Sequence, residues 1–141
     1  MDVETKREII LDNYQNPRNK QDTHDENAIH TNGNNESCID NIDLYITIES
    51  DVIKNITFNG EACAISTSST SIMITNLIGK TINEALEYIN NFENMVNEKD
   101  YNSELLKEAI VYDEIYKQRS RKNCALLPYI AIKKALEDHL K

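Results

Sequence analysis

The fold class of this chain is decided by the stretch Ile42-Asp43-Leu44-Tyr45-Ile46-Thr47-Ile48-Glu49. Its apolar residues occupy every second position, which is the period of a strand with one buried and one solvated face. Ser50-Asp51 predicts a turn, and residues 52–58 predict a returning strand that Asn59-Gly60 ends. The centre of the chain is therefore expected to form an antiparallel hairpin.

Helical patterns lie on both sides of this hairpin. Residues 3–15 place apolar side chains at i to i+4 spacing and stop before Pro17. The polar segment 19–37 is expected to be a surface loop with at most one short edge strand. The hydroxyl-rich run 66–71 has apolar neighbours and contains no Gly or Pro, which favours a buried helix packed closely against the sheet.

Further helical segments follow in the second half of the chain. Thr81-Ile82-Asn83-Glu84 matches a capping box and predicts a helix that runs to about Asn97. Ser103 begins another helical stretch, and the last helix is expected from about Cys124 to His139. This order predicts an α+β fold, in which a small antiparallel β-sheet is packed by helices on one side.

The composition indicates one acidic domain, spanning residues 1–141. The chain has 15 Lys and Arg against 24 Asp and Glu, a net charge of −9, which disfavours non-specific binding to nucleic-acid phosphates. No apolar run approaches the roughly 18 to 20 residues that a bilayer requires, and the N-terminus lacks the apolar stretch of a signal peptide. We therefore expect a cytoplasmic protein with no nucleic-acid partner and no membrane partner.

The three cysteines, Cys38, Cys63 and Cys124, each lie at the boundary of a predicted element. Three thiols cannot all pair within one chain, and a reducing compartment would keep them free as ligands or nucleophiles. With Asp40 they form a four-residue set suited to Zn²⁺ or iron. The spacing alone also allows two other interpretations. The cysteines could pack as small apolar side chains, and Asp40 could bond its own backbone in a turn.

Basic residues are concentrated at the C-terminal end, where residues 117–141 carry seven basic side chains and two acidic ones. Arg119, Arg121 and Lys122 lie beside Cys124. They are candidates for docking a partner or for offsetting the negative charge of a thiolate site. A solvated helix surface is the alternative.

Four segments contain all three cysteines and follow one another along nearly the whole chain. They are Ile9–Lys20, Cys38–Asp40, Phe58–Ser66 and Arg121–Ala125. Together they resemble the NifU N-terminal (IscU/SufU) family of iron-sulfur cluster assembly proteins, and this resemblance implies the IscU/SufU-like two-layer fold. The long separation of Cys63 from Cys124, the absence of a histidine just before Cys124, and residues 97–112 as an insertion look like the SufU branch.

The SufU resemblance implies a Zn²⁺ ion held by Cys38, Asp40, Cys63 and Cys124, in a zinc-dependent sulfurtransferase. It also implies that sulfur arrives from a SufS-type cysteine desulfurase and passes on to downstream cluster-assembly proteins. Cys38 is the residue expected to take the persulfide, freed when a partner residue replaces it at the metal. One alternative is a non-enzymatic scaffold, on which the same residues hold a transient iron-sulfur cluster for apo-proteins. Another is a zinc-stabilised binding module without transfer activity.

Several positions depart from the family pattern. Ile39 and Ala62 stand where glycines are usual, and Glu36 stands where a proline is usual. A β-branched residue adopts a positive φ only at a cost. We therefore expect the loop that holds Cys38 and Asp40 to differ in shape from the family's.

Overall fold

Two layers make up the molecule, a three-stranded sheet and the helices that cover one of its faces. The computed structural model describes residues 1–35 and 39–141. In these residues the strand order is β1 (Ile29–Asn34), β2 (Asn41–Glu49) and β3 (Val52–Glu61), and both neighbouring pairs are antiparallel. The predicted α+β fold is confirmed. β1 is a short edge strand within the polar segment 19–37, where at most one such strand was expected.

The predicted hairpin joins β2 to β3. Three apolar side chains of β2 are at most 1% exposed, namely Ile42, Leu44 and Ile46, and Ile48 is half-buried. Burying each such side chain contributes roughly 1.5–3 kcal/mol. Ser50 and Asp51 have φ values of 52° and 62°, the left-handed pair that suits a tight two-residue turn.

β3 continues to Glu61, beyond its predicted end. The expectation that Asn59-Gly60 ends the strand is wrong, because Gly60 pairs with Ile42. Its φ is 127°, and a Cβ atom at this position would lie 2.1 Å from the carbonyl oxygen of Asn41, so glycine is required. As a result, β3 ends two residues before Cys63, at the end of the sheet where β2 begins.

The described residues form five α-helices: α1 (Val3–Gln15), α2 (Ala64–Leu77), α3 (Ile82–Val96), α4 (Ser103–Leu106) and α5 (Arg119–Leu140). Two 3₁₀ helices, Lys107–Tyr112 and Ile115–Lys117, lie between α4 and α5. α5 packs against β1, β2 and α2, and α1 packs against α2. No described helix combines the length and apolarity needed to cross a bilayer.

α2 and α3 follow their predictions closely. The hydroxyl residues 66–71 of α2 are at most 6% exposed, so this polar run does form a buried helix. Their hydroxyls find partners inside the protein, as where Ser68 Oγ lies 2.6 Å from the Tyr112 hydroxyl. α3 begins with the predicted capping box between Thr81 and Glu84. The predicted helical stretch from Ser103 is divided into α4 and a 3₁₀ helix.

α5 begins at Arg119, so the predicted start at Cys124 is five residues too late. Residues 119–123 are exposed or half-buried. The first turn of α5 therefore buries little apolar surface, and its sequence has no hydrophobic periodicity from which a helix could be predicted. Pro128 lies inside α5 and lacks an N–H group, which leaves the Cys124 carbonyl without its usual helical donor.

Candidate metal centre

Asp40, Cys63 and Cys124 converge at one end of the sheet. Each offers one ligand atom, and these three atoms all lie within 4.8 Å of one another. They lie just before β2, at the N-terminus of α2 and in the second turn of α5. Cys38, the fourth predicted ligand, lies outside the described residues. The three predicted ligands that the structure describes are therefore brought together.

Asp40 is held at both of its carboxylate oxygens and is only 1% exposed. Oδ1 accepts the backbone N–H of Cys63 at 2.7 Å, and Oδ2 accepts the hydroxyl of Ser66 at 2.6 Å. Burial is the largest single effect and raises the pKa of Asp40, but the hydrogen bonds from Ser66, Cys63 and Cys124 together lower it by more, so the net pKa is below its usual value. The side chain therefore connects separate elements and does not close a turn on its own backbone.

Cys63 is the N-cap residue of α2. Its Sγ accepts the backbone N–H of Ser66 at 3.4 Å. Sγ lies 3.8 Å from Asp40 Oδ2. Sulfur and oxygen ligands of one tetrahedral zinc ion are about 3.3–3.8 Å apart, given Zn–S of about 2.3 Å and Zn–O of about 2.0 Å.

Cys124 is 6% exposed, but its thiol has polar neighbours. Asn35 Nδ2 lies 4.0 Å from its Sγ, and the thiol is in reach of Asp40 and Cys63. Burial raises the pKa of Cys124, and the neighbouring Asp40 and Cys63 raise it further. A divalent cation among these groups would reverse this effect and favour the thiolate. Two thiols and a carboxylate thus suit Zn²⁺ or iron better than they suit apolar packing.

A cavity of about 340 Å³ opens onto the two thiols. Its walls are Asn35, Cys63, Ala64, Ile65, Ser120, Arg121 and Cys124. Of the three predicted cations, Arg121 lines this cavity and Arg119 and Lys122 do not. Arg121 forms no ion pair with any carboxylate of the described residues. A larger cavity of about 610 Å³, between β1 and the end of α5, contains no cysteine.

Ile39 is one of the positions beside the site at which the sequence departs from the family pattern. The side chain is 67% exposed next to Asp40. The loop that holds Cys38 and Asp40 contains residues outside the described part of the chain, so the expected difference in its shape stays a prediction.

Ser66 belongs to the site but is not among the predicted site residues. In the sequence it is one member of a run of small hydroxyl residues, which indicates only close packing. Its position three residues after Cys63 is the available signal, because an N-cap side chain meets the backbone of the third helical residue.

The fold and the site together define a class of protein, an α+β domain with a cysteine-containing candidate metal site at one end of its sheet. The family model described as the NifU-like N terminal domain matches residues 5–141 of this chain. The chain belongs to this family, as the cysteine-containing segments indicate.

Two relatives named SufU and IscU are similar to this chain over most of its length. The zinc-dependent sulfurtransferase SufU of Bacillus subtilis is 34% identical over 131 residues, which cover 92% of this chain and 88% of SufU. The iron-sulfur cluster assembly scaffold protein IscU of Thermotoga maritima is 32% identical over 130 residues, which cover 92% of this chain and 91% of IscU.

Solved structures agree with this assignment. FiSufU of Fervidobacterium islandicum AW-1, described as a scaffold candidate for iron-sulfur cluster assembly in the SUF system, superposes with a TM-score of 0.82. It is 36% identical, and the match covers 92% of this chain and 94% of FiSufU. The N-terminal NifU-like protein of Brucella abortus shares the fold with a TM-score of 0.82 at 16% identity.

Proposed function

We propose that this protein is a zinc-dependent sulfur-transfer protein of iron-sulfur cluster assembly. The observation that carries the proposal is the convergence of Asp40, Cys63 and Cys124 within 4.8 Å of one another. The similar protein that is named a zinc-dependent sulfurtransferase covers 92% of this chain. Its activity is the one that best fits two thiols and a buried carboxylate beside an open cavity.

Cys38 is proposed as the fourth ligand and as the sulfur acceptor. It precedes Asp40 by two residues, and a chain of two residues spans at most about 7 Å. Covalent connection alone therefore keeps it near Asp40. The backbone N–H of Asn35 donates to the Asp40 carbonyl at 3.0 Å, so the segment that contains Cys38 begins and ends at the site.

Bound Zn²⁺ would hold the cysteines as thiolates at neutral pH and would not itself oxidise a persulfide. The Cys38 thiolate attacks the terminal sulfur of a persulfide on a SufS-type cysteine desulfurase. A new S–S bond forms on Cys38 while the S–S bond of the desulfurase breaks. The desulfurase cysteine leaves as a thiolate, so the exchange consumes no oxidant. Downstream cluster-assembly proteins then receive the sulfur.

The cations at the start of α5 are assigned different parts in this proposal. Arg121 lines the cavity at the thiols, so we assign it the role of offsetting negative charge there. Arg119 is exposed and Lys122 is half-buried, and neither lines that cavity. We assign these two to contacts with the desulfurase.

A second candidate is a scaffold on which a transient iron-sulfur cluster is assembled and passed to apo-proteins. It is favoured by the similar protein of Thermotoga maritima, which is named an iron-sulfur cluster assembly scaffold protein. Asn123 precedes Cys124 where IscU-type scaffolds carry a histidine, and this difference favours zinc-dependent sulfur transfer.

The Cys38→Ala variant tests the proposed acceptor. Zinc-loaded full-length protein is mixed with a SufS-type cysteine desulfurase and L-cysteine, and persulfide on this chain is measured by mass spectrometry. We expect the wild type to carry persulfide and Cys38→Ala to carry none, because the attacking thiolate is absent. Ile39→Ala is the matched control, since its side chain is 67% exposed and contributes no thiol. Unchanged transfer to Cys38→Ala would exclude Cys38 as the acceptor.

A further inference from the structure

Ser66 contacts all three described members of the metal centre and is itself 0% exposed. Its hydroxyl Oγ lies 2.6 Å from Asp40 Oδ2 and 3.0 Å from the carbonyl oxygen of Cys124. Its backbone N–H donates to Cys63 Sγ at 3.4 Å. One serine thus joins the start of β2, the N-terminus of α2 and the second turn of α5.

The Ser66 hydroxyl has one proton and two acceptors within reach. The carboxylate of Asp40 is the closer and stronger acceptor. The Cys124 carbonyl is available as the second acceptor because Pro128, four residues later, has no N–H to offer it. The hydroxyl therefore donates mainly to Asp40, with the Cys124 carbonyl as the weaker second partner of the same proton.

We propose that Ser66 is a positioning residue, which holds the Asp40 carboxylate in the orientation that binds the metal ion. This inference rests on the proposed function. Cys63 N–H holds Oδ1 and Ser66 holds Oδ2, so the carboxylate cannot rotate without breaking one of these bonds. Each oxygen keeps a lone pair for a metal ion. Partners of this kind are typically worth about 10- to 100-fold in metal affinity.

Ser69 provides a matched control for a merely structural role. It lies on the same helix, is 0% exposed, and donates its hydroxyl to the Ala125 carbonyl of α5 at 2.7 Å. Removing the Ser69 hydroxyl costs one buried hydrogen bond between α2 and α5, whereas removing the Ser66 hydroxyl costs its bond to Asp40 as well as its contact with the Cys124 carbonyl of α5. Only Ser66 bonds a candidate metal ligand, so a difference in metal affinity separates positioning from packing.

The experiment compares the wild type with Ser66→Ala, Ser66→Thr and Ser69→Ala. Zinc affinity is measured by competition with a chromogenic chelator, and the absorption spectrum of the Co²⁺-substituted protein reports the coordination geometry. We expect Ser66→Ala to bind Zn²⁺ about 10- to 100-fold more weakly and to show an altered Co²⁺ spectrum. Ser69→Ala is expected to keep wild-type affinity, and the hydroxyl of Ser66→Thr to restore most of it.

Three outcomes would overturn the proposal. Ser66→Ala could bind zinc as tightly as the wild type with an unchanged Co²⁺ spectrum. Ser69→Ala could lose as much affinity as Ser66→Ala. Ser66→Ala could fail to fold even with metal while the other two variants fold, which would contradict a role limited to positioning. A wild-type protein that binds no zinc would instead reject the proposed function itself.

Discussion

Asp43 and His30 form a hydrogen-bonded pair on the outer face of the sheet, away from the metal centre. His30 Nε2 lies 2.8 Å from Asp43 Oδ1, and Asn32 Nδ2 donates to the same oxygen at 3.0 Å. The bonds from His30 and Asn32 lower the pKa of Asp43, against the raising effect of partial burial, and the charge of nearby His24 adds a smaller lowering effect. This pair therefore links the stability of the sheet to pH.

The Asp43→Asn variant tests that link. A carboxyl whose pKa is lower in the folded state stabilises the protein above its unfolded-state pKa, near 3.9, and this contribution is lost as pH falls through the folded-state pKa. We expect a loss of less than about 1 kcal/mol in the free energy of unfolding at pH 6, because both side chains are well exposed. Urea unfolding between pH 6 and pH 2.5 should show the difference shrinking toward zero.

The exposed Glu61→Gln change at the end of the same sheet serves as the control for Asp43→Asn. We expect it to leave the free energy of unfolding nearly unchanged across this range. A difference between the wild type and Asp43→Asn that stayed constant down to pH 2.5 would contradict the assigned origin of the pKa shift.

At the scale of single residues, the chemical type of a side chain decides whether its place in the candidate site could be predicted from the sequence. Asp40, Cys63 and Cys124 could be predicted to come together as candidate metal ligands, because thiols and carboxylates reveal their chemistry by residue type. Ser66 could not, since its role depends on meeting Asp40, which precedes it by 26 residues. Arg121 could be separated from Arg119 and Lys122 only by the cavity that it lines.

At the scale of the elements, the reliable predictions came from patterns that an element carries within itself. The alternation of β2 and the capping box of α3 are of this kind. The end of β3 depends on Gly60 meeting the backbone of Asn41, and the start of α5 is an exposed basic turn. A tertiary contact decides the end of β3, and solvent exposure conceals the start of α5. Neither produces a hydrophobic periodicity from which the boundary could be predicted.

Removal of a bound metal ion is expected to lower the stability of the protein, because the ion would connect three elements. The described ligands come from the start of β2, the N-terminus of α2 and α5, so a bound ion cross-links segments that are far apart in sequence. We expect a chelator to lower the thermal midpoint of the wild type by several degrees in differential scanning calorimetry. Cys63→Ala, which lacks one ligand, should respond much less to the same chelator. An equal response of both proteins would contradict the cross-link.

For the molecule as a whole, charge is distributed unevenly between the acidic body and its last helix. The net charge is −9, yet residues 117–141 carry seven basic and two acidic side chains. The basic start of α5 adjoins the cavity at the thiols. This arrangement keeps cationic groups at the one place where the proposed function brings thiolates, a persulfide and a partner protein together.

The measurement that tests the central claim most directly is metal and sulfide analysis of the full-length wild type. The protein is purified anaerobically without added metal, and turnover of a SufS-type cysteine desulfurase is measured with and without it. We predict about one zinc ion per chain, no acid-labile sulfide and faster desulfurase turnover. Iron with comparable sulfide and a visible chromophore, or the absence of both metals, would contradict the claim that this protein is a zinc-dependent sulfur-transfer protein.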